Sequence, residues 1–77
     1  MFSTDQLDLR RMLCPLPVIR TQDHIKGMSP GDTLTIVCTD PGVLTDIPTW
    51  CRINGHEVTS TEEADYEIKI TIQVGAE

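Results

Sequence analysis

Gln6–Lys26 reads QLDLRRMLCPLPVIRTQDHIK, and this stretch decides the fold. Its first five residues alternate polar and apolar side chains, which predicts a short β-strand. Pro15 and Pro17 end that strand, and because proline is tolerated only in the first turn of a helix, a helix must begin here. We expect Cys14 at the N-cap, with the two prolines at the first and third helical positions. Gly27 is expected to close the helix.

The rest of the chain predicts one more helix and three more strands. An apolar, β-branched run predicts a buried strand. The helix after it is expected to have Thr45 as its N-cap, because Pro48 must lie close to a helix start. The polar run Glu62–Asp65 is expected to form the loop of a hairpin. The predicted bounds are Thr33–Thr39 for the second strand, Thr45–Asn54 for the second helix, and His56–Thr61 and Tyr66–Val74 for the last two strands.

The predicted order of elements is β-α-β-α-β-β. Right-handed crossovers between parallel strands place both helices on one face of a single sheet, and the last strand returns antiparallel. We therefore expect an α/β (α+β) two-layer sandwich, in which a mixed four-stranded sheet carries both helices on one face. A chain of 77 residues is expected to form a single domain, residues 1–77, with a thin core.

Charge and composition exclude several classes of function. Six Lys and Arg residues stand against 12 Asp and Glu residues, a net charge of −6, and the acidic excess lies in residues 39–77. We expect no RNA binding by the isolated domain, because phosphate contacts require basic side chains. The sequence shows neither an apolar run of membrane-spanning length nor a secretion signal. We therefore expect a cytoplasmic protein without direct membrane contact.

The three cysteines, Cys14, Cys38 and Cys51, are an odd number and form no C-x-x-C pair. This pattern argues against a disulfide framework and a tetrahedral zinc site, so we expect reduced thiols and no metal. Cys38 and Cys51 fall on apolar faces and are expected in the core. Cys14 is the reactive candidate, because a helix N-terminus favours the thiolate. Asp40 opposes that effect, and the sign of the net pKa shift stays open.

The expected site is the edge of the sheet beyond the C-terminal ends of its parallel strands. Residues 12–14 and 40–42 should meet at this edge, together with the Glu62–Asp65 loop. Within the second segment, Asp40 either caps the second helix or steers a partner, and we favour the cap as the commoner role for Asp in such a turn.

No partner for nucleophilic catalysis is expected near Cys14. His24 lies ten residues further along the first helix, about 15 Å away, and His56 opens a strand at the opposite edge of the sheet. A Cys-His dyad is therefore not expected, and a thioredoxin-like mechanism lacks its second thiol. A single exposed thiol can still carry a group, either sulfur as a persulfide or oxidation state as a sulfenic acid.

Six short motifs stand in order along residues 6–73. They are Leu7-Asp8, Cys14-Pro15-Leu16-Pro17-Val18, Pro30-Gly31-Asp32, Thr39-Asp40-Pro41-Gly42, Asp46-Ile47-Pro48 and Gly55-His56. C-P-x-P alone is a modest signal, but it is a strong one when D-P and D-I-P follow at these separations in so short a chain. Together the motifs resemble the TusA (SirA-like) sulfur-carrier family, whose fold is the sandwich predicted above.

This resemblance implies that Cys14 accepts sulfane sulfur from a cysteine desulfurase or a rhodanese-like donor and passes the persulfide to an acceptor protein. The sulfur is carried covalently, so no cofactor is implied. Pro15, Pro17 and Asp40 are implied as supporting residues of the motif. In the best-known branch of the family the sulfur ends in 2-thiouridine of tRNA, and other branches resemble carriers for sulfur oxidation, thiosulfate uptake or molybdenum-cofactor supply.

The chain departs from the tRNA-thiolation pattern at three positions around Cys14. Arg11 stands where that branch has Gly, Leu13 where it has Arg, and Leu16 where it has Glu. We therefore favour a sulfur-trafficking carrier outside tRNA modification. Leu16 is expected to be exposed for partner docking and Leu13 to lie in the core. Arg20 is either a solvated residue of the first helix or a contact for a donor's acidic surface.

Two alternatives use the same fold. In a thiol-based redox sensor, peroxide would oxidise Cys14 faster than an ordinary thiol. A non-catalytic regulatory or binding module would keep its partner phenotype after Cys14→Ser.

Overall fold

The computed structural model describes residues 4–75 and contains the six elements in the predicted order. They are β1 (Thr4–Leu9), α1 (Leu16–Ile25), β2 (Thr33–Cys38), α2 (Val43–Ile53), β3 (Glu57–Ala64) and β4 (Glu67–Gln73). One four-stranded sheet has the strand order β1-β2-β4-β3, in which β1 and β2 are parallel and β4 is antiparallel to both of its neighbours. The predicted mixed-sheet α+β fold is confirmed. Within residues 4–75, neither helix has the length and apolar character needed to cross a bilayer.

The core lies between one face of the sheet and the two helices. Strand residues point alternately to opposite faces, so every second residue of the two central strands is buried. Three pairs face each other across β2 and β4: Leu34–Ile72, Ile36–Ile70 and Cys38–Ile68. Ile25 of α1 and three residues of α2, Val43, Ile47 and Cys51, complete the same cluster. The prediction that Cys38 and Cys51 are core residues is confirmed.

The second helix begins earlier than predicted, at Val43 rather than after Thr45. Gly42 is its N-cap, since the Gly42 carbonyl accepts the first helical hydrogen bond, from the amide of Asp46 at 3.0 Å. Pro48 therefore lies inside the helix and leaves one carbonyl without its helical donor. Burial of three α2 side chains in the core offsets this loss, since packing overrides local propensity.

The last hairpin is tighter than predicted. β3 continues through the expected loop to Ala64, which pairs with Glu67, so Asp65 and Tyr66 alone form the turn. Both turn residues have positive φ angles, 54° and 65°, as a type I′ turn requires. Sequence patterning missed this extension because β3 is an edge strand whose residues after Val58 are all exposed, so it shows no apolar alternation.

Candidate functional site around Cys14

The ends of β1 and β2 are joined just before Cys14. Arg11 adopts φ 69°, in the left-handed region that glycine enters without strain. The Arg11 amide donates to Thr39 Oγ1 at 2.8 Å, which brings the segment after β1 against the segment after β2. The predicted meeting of residues 12–14 and 40–42 at this sheet edge is confirmed.

The first helix starts one residue later than predicted. Pro15 is the N-cap, because its carbonyl accepts the hydrogen bond from the Ile19 amide at 3.2 Å and its own φ and ψ are not helical. Cys14 therefore precedes the cap, and Pro17 is the second helical residue rather than the third. Pro17 is buried while Pro15 is exposed. The thiol thus lies just outside the N-terminus of α1.

Asp40 connects the starts of the two helices. Its Oδ2 accepts from the Cys14 amide at 2.8 Å and its Oδ1 accepts from the Gly42 amide at 3.0 Å. The prediction that Asp40 caps α2 is wrong in its detail, since Gly42 is the N-cap and Asp40 instead binds the Gly42 amide from two residues before the helix. The amides of Gly42 and Cys14 hold the pKa of the Asp40 carboxyl below its usual value, so a carboxylate stands beside Cys14.

The Cys14 thiol is hydrogen-bonded to a residue that sequence reasoning did not single out. Its Sγ donates to Asp46 Oδ2 at 2.9 Å, and Asp46 lies in the first turn of α2. This hydrogen bond, followed by partial desolvation and the negative charges of Asp46 and Asp40, raises the pKa of the Cys14 thiol. The direction of the Cys14 pKa shift, which the sequence left open, is therefore upward and favours the protonated thiol. The sequence did contain a signal for this contact, because Asp46 is the acid of the D-I-P motif. The motif was used only for the family resemblance.

Two leucines stand close to Cys14 in the sequence, Leu13 directly before it and Leu16 two residues after it. Leu16 is 46% exposed, as predicted, whereas Leu13, expected in the core, is 71% exposed. Leu13 lies in the turn between β1 and α1, where Leu9 and Met12 already pack against the core. Arg20, the other predicted docking residue, is exposed on α1. Leu13 and Leu16, which we call the rim, are therefore exposed apolar residues on both sides of Cys14 in the sequence.

The third predicted segment of the site also borders this edge. A cleft of about 430 Å³ lies between Thr39 and Pro41 on one side and residues 63–68 on the other. The hairpin tip is therefore next to the loop that carries Asp40. Its acidic residues add negative charge at the same end of the molecule.

Both histidines make contacts with groups other than Cys14. His24 Nε2 lies 2.9 Å from Asp5 Oδ2, and His56 Nδ1 accepts from the Gly75 amide at 2.9 Å. The ring of His56 also lies 5.2 Å from that of Trp50, which packs partly buried against the core. No Cys-His dyad is formed within residues 4–75. Cys14 is therefore an exposed thiol without a basic partner in the described part of the chain.

Comparison with known proteins identifies the family. The family model described as sulfurtransferase TusA matches residues 5–74. The chain is 35% identical to the sulfur carrier protein TusA of Pseudomonas putida strain F1 over 57 residues, 74% of this chain and 71% of that protein. It is 32% identical to a Neisseria meningitidis serogroup A protein over 71 residues, 92% of this chain and 96% of that protein. It is also 31% identical to YrkF of Bacillus subtilis strain 168 over 77 residues. This match covers the whole of this chain and 42% of that protein. The chain belongs to the TusA family of sulfur carriers.

Proposed function

We propose that this protein carries sulfane sulfur as a persulfide on Cys14, receiving it from a donor protein and passing it to an acceptor protein. The observation that supports this most directly is the position of Cys14 in the C-P-L-P motif. Its thiol is exposed beside the N-terminal ends of α1 and α2, whereas Cys38 and Cys51 are buried. The sulfur travels on the side chain itself, so the proposal needs no cofactor.

The proposed loading step is a thiol-persulfide exchange. Cys14 Sγ attacks the outer sulfur of a donor persulfide, R–S–SH, and the donor's S–S bond breaks as the new Sγ–S bond forms. The electron pair of the broken bond stays on the donor's inner sulfur, which takes up the proton that Sγ gives up. The products are Cys14–S–SH and R–SH, so no external oxidant or reductant is needed. The same exchange, with the carrier as donor, delivers the sulfur to the acceptor.

The redox-sensor alternative is less well supported by the site. Peroxide reacts with a thiolate, and redox-sensing cysteines combine exposure with a lowered pKa. Cys14 instead donates a hydrogen bond to Asp46, and two carboxylates raise the pKa of its thiol. A carrier that is loaded only when a donor docks is compatible with such a restrained thiol.

The proposed donor is a cysteine desulfurase or a rhodanese-like protein, and it docks on the rim around Cys14. Leu13 and Leu16 provide the apolar contact, and Arg20 provides a positive charge on α1. Pro15, Pro17 and Asp40 hold the segment that carries the thiol. Arginine is absent directly before Cys14, and glutamate is absent between the prolines, so we propose an acceptor outside tRNA 2-thiolation. We propose the cytoplasm as the compartment, because a sulfur relay requires a reduced thiol.

The test is intact-protein mass spectrometry after incubation with a cysteine desulfurase and cysteine, or with a rhodanese and thiosulfate. We expect a gain of one sulfur atom that dithiothreitol removes. Cys14→Ser should show no gain, and Cys51→Ser, a matched change at a buried thiol, should load as the wild type does. Absence of an adduct on the folded wild type with both donors would remove the carrier proposal for those donors.

A further inference from the structure

The hydrogen bond between Cys14 and Asp46 ties the reactive sulfur to the second helix. Asp46 is partly buried in the first turn of α2, and its Oδ2 lies 2.9 Å from Cys14 Sγ. Cys14 is held at a second point, because its amide donates to Asp40 at 2.8 Å. The side chain and the backbone of Cys14 are therefore each bound by a different carboxylate. This arrangement restricts where the sulfur can point.

The carboxylates of Asp46 and Asp40 form no ion pair with a basic side chain within residues 4–75. Arg10, four residues before Cys14, forms ion pairs with Asp8 and Glu67 instead. The charged groups that face the thiol are thus Asp46 from α2 and Asp40 from the loop before it. Of the two, Asp46 contacts the reacting atom.

We propose that Asp46 is a positioning residue that keeps Cys14 as a hydrogen-bonded thiol in the empty carrier and loses this bond when sulfur is loaded. The inference rests on the proposed function for its loading step. In that step the hydrogen leaves Sγ and a sulfur atom takes its place, so Sγ has nothing left to donate to Asp46. The 2.9 Å gap between Sγ and Oδ2 leaves no room between these two atoms for an outer sulfur bonded to Sγ at about 2.05 Å. On loading, the outer sulfur therefore takes another direction, and Cys14 loses its hydrogen bond to α2.

The consequence is a difference between the empty and the loaded carrier at the docking rim. In the empty carrier the thiol is held against α2, where alkylating agents and peroxide meet little thiolate. In the loaded carrier the outer sulfur is directed away from Asp46 and Asp40, because a persulfide anion is repelled by both carboxylates. An acceptor protein would therefore meet a sulfur that projects from the rim.

The experiment compares Asp46→Asn with Asp23→Asn, which makes the same change in net charge on the exposed face of α1. The rate of Cys14 alkylation by iodoacetamide is measured from about pH 6 to about pH 10, a range that brackets an ordinary thiol. Peptide mass spectrometry separates Cys14 from the two buried cysteines. We expect Asp46→Asn to move the midpoint to lower pH and to raise the alkylation rate at pH 7 severalfold, because the carboxylate that disfavours the Cys14 thiolate is gone. Asp23→Asn should follow the wild-type profile.

A wild-type profile for Asp46→Asn, or an upward shift of its midpoint, would overturn the inference. Far-UV circular dichroism verifies that the variant is folded, and Asp46→Ser removes the same charge if the asparagine variant is not. A second arm loads each variant with glutathione persulfide over the same pH range, and we expect the loading midpoint of Asp46→Asn to move in parallel. If the wild type takes up no sulfur, the proposed function fails, while the alkylation profiles still decide the role of Asp46.

Discussion

The most informative perturbation is the double replacement Leu13→Ser with Leu16→Ser, which removes the apolar rim without touching Cys14. The two residues are 71% and 46% exposed in the free protein, so they contribute little to its core. A variant that lacks both side chains should keep its fold, with a loss in the free energy of unfolding of at most about 1 kcal/mol at each site, from the part of each side chain that is already buried. Any loss of sulfur loading would then report on docking.

The size of the effect follows from the exposed area. Burying a whole leucine side chain contributes about 2 kcal/mol. With 71% of Leu13 and 46% of Leu16 available, a donor that covers both gains at most about 2.3 kcal/mol. This upper limit corresponds to about a fiftyfold change in Kd. Because interface edges stay partly hydrated, we expect a loss of affinity between about tenfold and about fiftyfold.

The assay measures persulfide transfer from a cysteine desulfurase as kcat/KM, together with donor affinity by titration. Ile53→Ser is the matched control, because Ile53 is 74% exposed but lies at the opposite end of α2 from Asp46. Glutathione persulfide, which needs no protein docking, should load the double variant at the wild-type rate.

Wild-type donor affinity in the double variant would refute the docking argument. An equal loss in Ile53→Ser would also refute it, because the effect would then not belong to the rim around Cys14. Slow loading by glutathione persulfide would place the defect in the thiol rather than in docking.

Three further predictions concern stability. Thr21 is fully buried and its hydroxyl has no hydrogen-bond partner within residues 4–75, so Thr21→Val should raise the free energy of unfolding by about 1 kcal/mol. Urea unfolding checks this, with Thr35→Val as the control that loses a hydrogen bond to another threonine and should gain nothing. Tyr66 is 98% exposed with φ 65°, and Tyr66→Gly should stabilise by up to about 1 kcal/mol, because relief of the left-handed conformation exceeds the added chain entropy; a lower thermal midpoint would contradict this. Hydrogen bonds from Arg10 lower the pKa of Asp8 from 3.8 to about 2. Their contribution to the free energy of unfolding is therefore present above pH 3.8 and is lost as the pH falls through about 2. When the free energy of unfolding is measured against pH in acid, Asp8→Asn should lack this pH-dependent loss.

The order of the elements and the exposed cysteine were predictable because the relevant signals are local. Proline restricts the backbone at its own position, so the pair Pro15 and Pro17 marks a helix start wherever the chain folds. Apolar alternation in the central strands likewise reflects burial of one face of a sheet. Element bounds were less predictable. Helix α2 starts at Val43 despite Pro48, since core packing outweighs one missing hydrogen bond.

The sequence by itself determined the mixed sheet, the two buried cysteines and the exposed thiol within C-P-L-P, because each follows from residue type and short-range spacing. The tertiary structure decided what surrounds that thiol. Asp46 is 32 residues from Cys14 along the chain, and only the packing of α2 beside α1 brings its carboxylate to the sulfur. The direction of the Cys14 pKa shift and the exposure of Leu13 depend on such long-range placement. A local pattern identifies the candidate thiol, whereas distances between elements determine the direction of its pKa shift.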